Sequence, residues 1–229
     1  MSVAILVVTD GRDEYLTQCV ASLDHLHGPI SEWWMFDDTG DDDYRARLAA
    51  RYPRFRHVHG GPRRGFGGAI RHAWAHMAHS SAQWVWHMEQ DFVLRRPVDL
   101  DVIVTVLTAR PHLAQMALRR QPWSPPEIAA GGVVEQRPHD YTEEHDALTG
   151  ASWLEHRLFW TTNPGLYRRS LISVGWPDVP RSEGMFTSRL LRYGTADVPG
   201  PLVRFGYWGA RASGEWVRHI GHDRVGSGY

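Results

Sequence analysis

The chain has 229 residues, 42% of them hydrophobic and 22% charged, with a formal net charge of −1. That balance excludes a disordered chain and gives no global attraction toward nucleic acid or an anionic membrane, leaving only a local basic patch open. All 25 basic residues are arginine, which excludes lysine Schiff-base chemistry and a Walker-type phosphate lysine; the single cysteine, Cys19, cannot close an internal disulfide.

The predicted elements alternate from the start. SVAILVV (2–8) is a continuous apolar run suited to a central parallel strand, and DEYLTQCVASLDHL (13–26) has helical periodicity with Cys19 as a small core residue. SEWWMF (31–36) is a second strand that ends in the acidic cluster DDTGDDD (37–43), and YRARLAARY (44–52) is a helix that stops at Pro53. FRHVHG (55–60) reads as a third strand, GFGGAIRHAWAHMAHS (65–80) as a helix opened by glycines, and WVWHM (84–88) as a fourth strand. A helix, DLDVIVTVLTAR (99–110), and a strand, LAQMALR (113–119), follow. This is the grammar of an α/β sheet. Residues 121–150 lack periodicity and are rich in Pro, Gly and charge, as a functional or partly disordered loop would be. RLFWTTN (157–163) is a strand candidate and RSEGMFTSRLLRYG (181–194) a helix, while the tail from Tyr207 mixes aromatics, arginines and glycines in the manner of a lid. There is neither a charged-then-apolar leader nor an apolar run near the ~18 residues of a spanning helix, so the expectation is one cytoplasmic domain with no membrane span.

The strand ends carry the chemistry. Ligands of open α/β sheets sit outside the carboxyl ends of the strands, and here those ends hold Thr9 and Asp10, Asp37 and Asp38, then Glu89 and Asp91. Such an acidic rim is costly unless it meets cations or the hydroxyls of ribose and sugars. No GxGxxG follows the first strand; the glycines follow the third, in GGPRRGFGG (60–68), where the backbone can approach a ligand and Arg63, Arg64 and Arg71 can meet phosphate. Asp37, Asp38 and Asp42 could equally cap the following helix.

These motifs, in this order, resemble the inverting, nucleotide-sugar-dependent glycosyltransferases of family 2, with the GT-A fold. DDTGDDD resembles the family's DDxSxD segment, with Gly40 where serine is usual, and RRGFGGAIRHAW (63–74) resembles its NxGxxxARN stretch, with Arg63 and His72 in place of the asparagines. MEQDF (88–92) stands at the DxD motif, NPGLYRRSLISVGWPD (163–178) resembles the acceptor-side segment, and SEGMFTSRLLRYG (182–194) the stretch read as xED with an arginine six residues on. The resemblance implies one Rossmann-like GT-A domain over 1–229, a mostly parallel central sheet flanked by helices. Residues 1–119 would form the nucleotide-sugar-binding half, and 120–229 a less regular acceptor-side half with a flexible loop at 121–150 and a C-terminal lid. It implies a nucleotide-sugar site at Thr9, Asp10, Asp37, Asp38, Gly65, Arg71, Glu89 and Asp91, a Mn²⁺ or Mg²⁺ ion on Asp91 and His219, and Glu183 as catalytic base. The donor would be a nucleotide-diphosphate sugar, a UDP-sugar foremost, and the acceptor a hydroxyl of a glycan, protein or modified nucleic acid.

Physical chemistry agrees with the roles. Inverting transfer needs a stabilised leaving diphosphate and a base for the acceptor hydroxyl. Glu183 opens a helix, with Ser182 as a cap, and a helix N-terminus favours the ionised carboxylate. One oxygen ligand, one imidazole and two diphosphate oxygens suit Mn²⁺ or Mg²⁺. Other readings are a sugar-nucleotide pyrophosphorylase, whose triphosphate loop should follow the first strand where TDGRDEY has one glycine, and a non-catalytic sugar or nucleic-acid binding module. The module would stack its ligand on Phe205, Tyr207, Trp208 and Trp216 between Arg204, Arg211 and Arg218. His72, His76 and His79 share a helix face, but no cysteine or HExxH pattern supports zinc. Trp33, Trp34, Trp84 and Trp86 are expected in the core; Trp153, Trp160, Trp208 and Trp216 could pack there or stack on a ligand.

Overall fold

The computed structural model describes residues 1–221. Strand β1 (Val3–Thr9) is buried along its whole length, as a strand covered on both faces requires. After helix α1 (Asp13–Ser22) and the short β2 (Leu26–His27) come β3 (Ile30–Asp37), α2 (Asp42–Arg51), β4 (His57–Gly60), α3 (Gly65–Met77) and β5 (Trp84–Glu89). The small strands β6 (Phe92–Leu94) and β7 (Val98–Asp99) lead to α4 (Leu100–Ala109) and β8 (Leu113–Ala117). The second half adds α5 (Pro125–Ala130), α6 (Val133–Gln136), β9 (Tyr141–Asp146), β10 (Ala151–His156), β11 (Gly165–Arg168), α7 (Ser182–Tyr193), β12 (Arg204–Trp208) and β13 (Val217–His219).

Nine strands form one sheet in the order β4-β3-β1-β5-β11-β8-β12-β10-β9. The run β4-β3-β1-β5 is parallel throughout, and β8 pairs in parallel with β12. The expected mostly parallel sheet holds only there: β11 runs antiparallel between β5 and β8, and β10 pairs antiparallel with both β12 and β9. Alternate residues of β1 feed opposite cores. Val3, Ile5 and Val7 pack with Leu16, Cys19, Ile103 and Leu107 from α1 and α4, whereas Ala4, Leu6 and Val8 pack with Ile70, Trp74, Phe186 and Leu190 from α3 and α7.

Several expectations change. Residues 157–163 are not a strand; they cross the carboxyl ends of the strands, with Trp160 buried against Phe186 at 5.2 Å between ring centroids. The stretch 121–150 is not structureless. The Ser124 hydroxyl accepts from the Glu127 amide at 3.4 Å, Pro125 fits the first turn, and Gly131 closes α5 at φ 94°. The tail is only partly the segment expected as a lid, since Tyr207 and Trp208 lie within β12 and residues 222–229 fall outside the described residues. The stacking surface of a binding module is not formed either: Phe205, Tyr207 and Trp208 are buried, and the Arg211 guanidinium donates to the carbonyls of Pro138 and Tyr141. Trp34, Trp84, Trp86, Trp153 and Trp160 are buried core residues. No helix among the described residues is long and apolar enough to cross a membrane.

Candidate active site

The carboxyl ends of β1 and β5, the start of α3, the 161–163 crossing and the start of α7 surround a cleft of about 290 Å³. Thr9, Asp10, Asp38, Gly65, Glu89, Asp91, Glu183 and His219 all line it. Asp37 and Arg71, expected beside them, do not line it. Asp37 is fully buried, accepting from the Thr39 amide at 3.0 Å and its hydroxyl at 2.8 Å, so it folds the acidic turn instead of facing a ligand. Ala69 and Ile70 of α3 face the cleft, whereas the neighbouring Arg71 side chain reaches Asp178 at 3.6 Å. Asp38 accepts from the amides of Arg64 and Gly65 at 3.0 and 2.9 Å and thereby fastens the glycine-rich segment to the end of β3. Burial raises the carboxyl pKa of both Asp37 and Asp38. The cap of α2 is Asp41, which accepts from the Tyr44 amide at 3.0 Å.

Charge converges on Asp91. Its Oδ2 lies 3.1 Å from Arg12 Nη2 and 3.4 Å from His219 Nε2, which β13 delivers by pairing antiparallel with β6. Burial opposes ionisation, but His219 and Arg12 outweigh it and hold the Asp91 carboxyl below its usual range. Glu89 behaves oppositely: burial, then the Asp91 charge, push its carboxyl well above the usual range. Gln90, between them, is tied back to Thr9 and Asp10, and Asp10 also holds Arg12 at 2.8 Å.

Glu183 is fixed by Thr162. Its Oε1 accepts from the Thr162 amide at 2.7 Å and from the Thr162 hydroxyl at 2.9 Å. Ser182 is not the cap it was expected to be: it is the first residue of α7, and the capping position is Arg181, whose left-handed backbone (φ 57°) makes no side-chain cap. Residues that sequence reasoning missed are Arg12, Gln90, Arg120, Trp123, Thr162 and Asn163. Only the Ser-Pro-Pro-Glu capping pattern at 124–127 signalled any of this. It ends the loop that carries Arg120 and Trp123, whose ring meets the His219 imidazole edge-on at 4.2 Å.

Among the described residues no three metal-ligating side chains come together. The Asp91–His219 pair nevertheless fits a divalent ion. Asp91 Oδ1 is buried with no hydrogen-bond partner among the described residues, and a Cβ on Gly221 would come within 2.6 Å of Oδ2, so glycine keeps that side of the carboxylate open. A carboxylate and an imidazole are hard and borderline donors of the kind Mn²⁺ accepts. His72, His76 and His79 form no such site; His76 stacks on His59 at 4.3 Å.

Over 96% of the chain the fold matches residues 1–349 of S. aureus TarS, with a TM-score of 0.61, 14% identity and 60% of that chain covered. The same TarS fragment solved with UDP-GlcNAc matches over 98% of this chain and 62% of its own, at TM-score 0.61 and 15% identity. The mannosyltransferase PcManGT from Pyrobaculum calidifontis, solved with GDP-Man and Mn²⁺, matches over 93% of this chain and 58% of its own, at TM-score 0.55 and 15% identity. The chain therefore spans about three fifths of the length of these structures. No curated protein sequence gives a significant match. The glycosyl transferase family 2 model matches residues 4–162, from β1 to the threonine that holds Glu183. With that match over most of its length and a GT-A fold around the cleft, the chain belongs to glycosyl transferase family 2.

Proposed function

We propose that the chain is a metal-dependent inverting glycosyltransferase that moves a sugar from a nucleotide-diphosphate donor, a UDP-sugar foremost, to an acceptor hydroxyl. The observation that carries this reading is that the Asp91–His219 pair and Glu183 line one cleft, beside Thr9, Asp10, Asp38 and Gly65. Asp91 and His219 would hold Mn²⁺ or Mg²⁺, whose charge, when the ion is bound, offsets that of the leaving diphosphate. Arg63 adds fixed positive charge to the same wall. The acceptor oxygen attacks the anomeric carbon, the bond to the diphosphate oxygen breaks with its electron pair, and the acceptor proton passes to Glu183. Attack opposite the leaving group inverts the anomeric centre. TarS and PcManGT, solved with UDP-GlcNAc and with GDP-Man, support a nucleotide-sugar donor.

A thermal-shift screen of UDP- and GDP-sugars with and without Mn²⁺ tests the reading. At a hundredfold excess over Kd, a bound donor should raise Tm by about 5–10 °C for a chain of this size. The shift should need the metal and be followed by slow donor hydrolysis. A full panel with no metal-dependent shift would end the proposal.

A further inference from the structure

Beside the donor cleft lies a second cavity of about 570 Å³, and Arg120, Thr161, Asn163 and Glu183 line both spaces. Glu183 thus stands in the wall between them. The volume lies in the range of small-molecule sites. Its formal charges cancel: Arg120 is neutralised by Glu127 through contacts of 2.7 and 3.2 Å, which leaves Arg137 and the carboxylate of Glu183.

The remaining lining is aromatic and amide. The Tyr207 ring lies 6.3 Å from Phe159 and 6.2 Å from Tyr141 between centroids. Tyr141 is only 4% exposed, yet its hydroxyl has no hydrogen-bond partner among the described residues, a state that buried tyrosines rarely keep. The half-buried Asn163 amide also has no protein partner among the described residues, and the Gln136 amide at the mouth is exposed to solvent.

We propose that this cavity is the acceptor subsite and that it takes an uncharged saccharide unit, a proposal that rests on the transferase reading above. The half-buried Phe159 ring offers contact to the C–H face of a sugar, while the Asn163 amide and the Tyr141 phenol in the wall pair with its hydroxyls. An anionic acceptor would find Arg120 neutralised by Glu127, Arg137 paired with Asp140 at 3.4 Å, and the Glu183 carboxylate opposing it. A lipid chain would leave the Asn163 amide and the Tyr141 hydroxyl unpaired.

Saturation-transfer NMR with neutral methyl hexopyranosides and with methyl uronides tests the class, on the native chain and on Phe159→Ala and Gln136→Ala. Gln136 is exposed at the end of α6, so its variant carries little folding risk. Neutral glycosides should bind and uronides should bind more weakly. Each variant should raise the neutral glycoside's Kd and the acceptor KM by about five- to tenfold, roughly the worth of one aromatic or amide contact, with donor affinity unchanged. Preference for uronides, no glycoside binding, or binding indifferent to both variants overturns the proposal. If nucleotide-sugars bind and no glycoside does, the acceptor assignment falls alone. If glycosides bind and no nucleotide-sugar does, the transferase reading falls and takes the acceptor role with it.

Discussion

Replacing Glu183 with glutamine keeps the length of the side chain, removes a carboxylate oxygen and adds an N–H donor pair. Oε1 is already held by the Thr162 amide and hydroxyl at 2.7 and 2.9 Å, and a carboxamide oxygen can accept both bonds. The variant's NH₂ is therefore forced to the place of Oε2, the oxygen left for the acceptor proton. Losing a general base costs about 10²–10⁴ in rate, or about 2.7–5.4 kcal/mol of barrier. Donor binding should be nearly untouched, since the Asp91–His219 pair and the Asp38-anchored glycine segment are unaltered. Calorimetry with donor and Mn²⁺ should give a Kd within about twofold of the native value, while kcat for transfer collapses. Transfer within about threefold of native would return Glu183 to a structural role at the start of α7 and reopen the choice between inverting and retaining chemistry.

Asp91→Ala should abolish turnover and Mn²⁺ binding, and His219→Ala should weaken both; His76→Ala, on the far side of α3 against His59, is the control. An inactive His76 variant beside an active Asp91 variant would show the cation to have been assigned to the wrong place. Thr162→Val removes the hydroxyl bond to Glu183 and keeps the amide bond, so kcat should fall roughly tenfold at unchanged donor KM; a change in donor KM alone would contradict this. Burial lowers the His87 pKa from 6.5 to about 4. Because its folded pKa is depressed, the unfolded chain binds the proton first: stability is complete above about pH 6.5 and declines toward pH 4, by roughly 1.4 kcal/mol per unit. Urea melts at pH 6.5 and 5 should differ by about 2 kcal/mol less in His87→Leu than in the native chain; equal differences would refute the assignment.

The parallel half of the fold was legible because its strands are continuous apolar runs, as in SVAILVV and WVWHM, each ending at the residues that form the rim. Asp91, Glu183 and His219 were singled out by motif order, and although they lie far apart in the chain they line one cleft in the folded structure. What was hidden depends on long-range pairing. Strand β11 is four residues long and its neighbours lie some distance away in sequence, so nothing local marks it. Arg12, just past β1, reaches Asp91, just past the neighbouring β5, and no spacing rule announces that contact. Asp37 and Asp38 were read together from the acidic run that closes β3; in the fold Asp38 lines the cleft, while Asp37 accepts from the Thr39 amide and hydroxyl inside the turn.

The antiparallel insertion of β11 makes the two halves of the sequence inseparable. Without it, β5 and β8 would each present an unpaired edge in the middle of the sheet, a template for association with other chains. A fragment ending near residue 119 would therefore be an aggregation hazard and not a portable nucleotide-sugar module, and grafting the acceptor half of a relative onto this donor half would have to rebuild the central seam as well. On the acceptor reading proposed above, changes of acceptor preference have an easier route through exposed lining residues such as Gln136 and Arg137, whereas Val134 and Tyr141 are buried against Ala117, Leu154 and Tyr207 of the sheet.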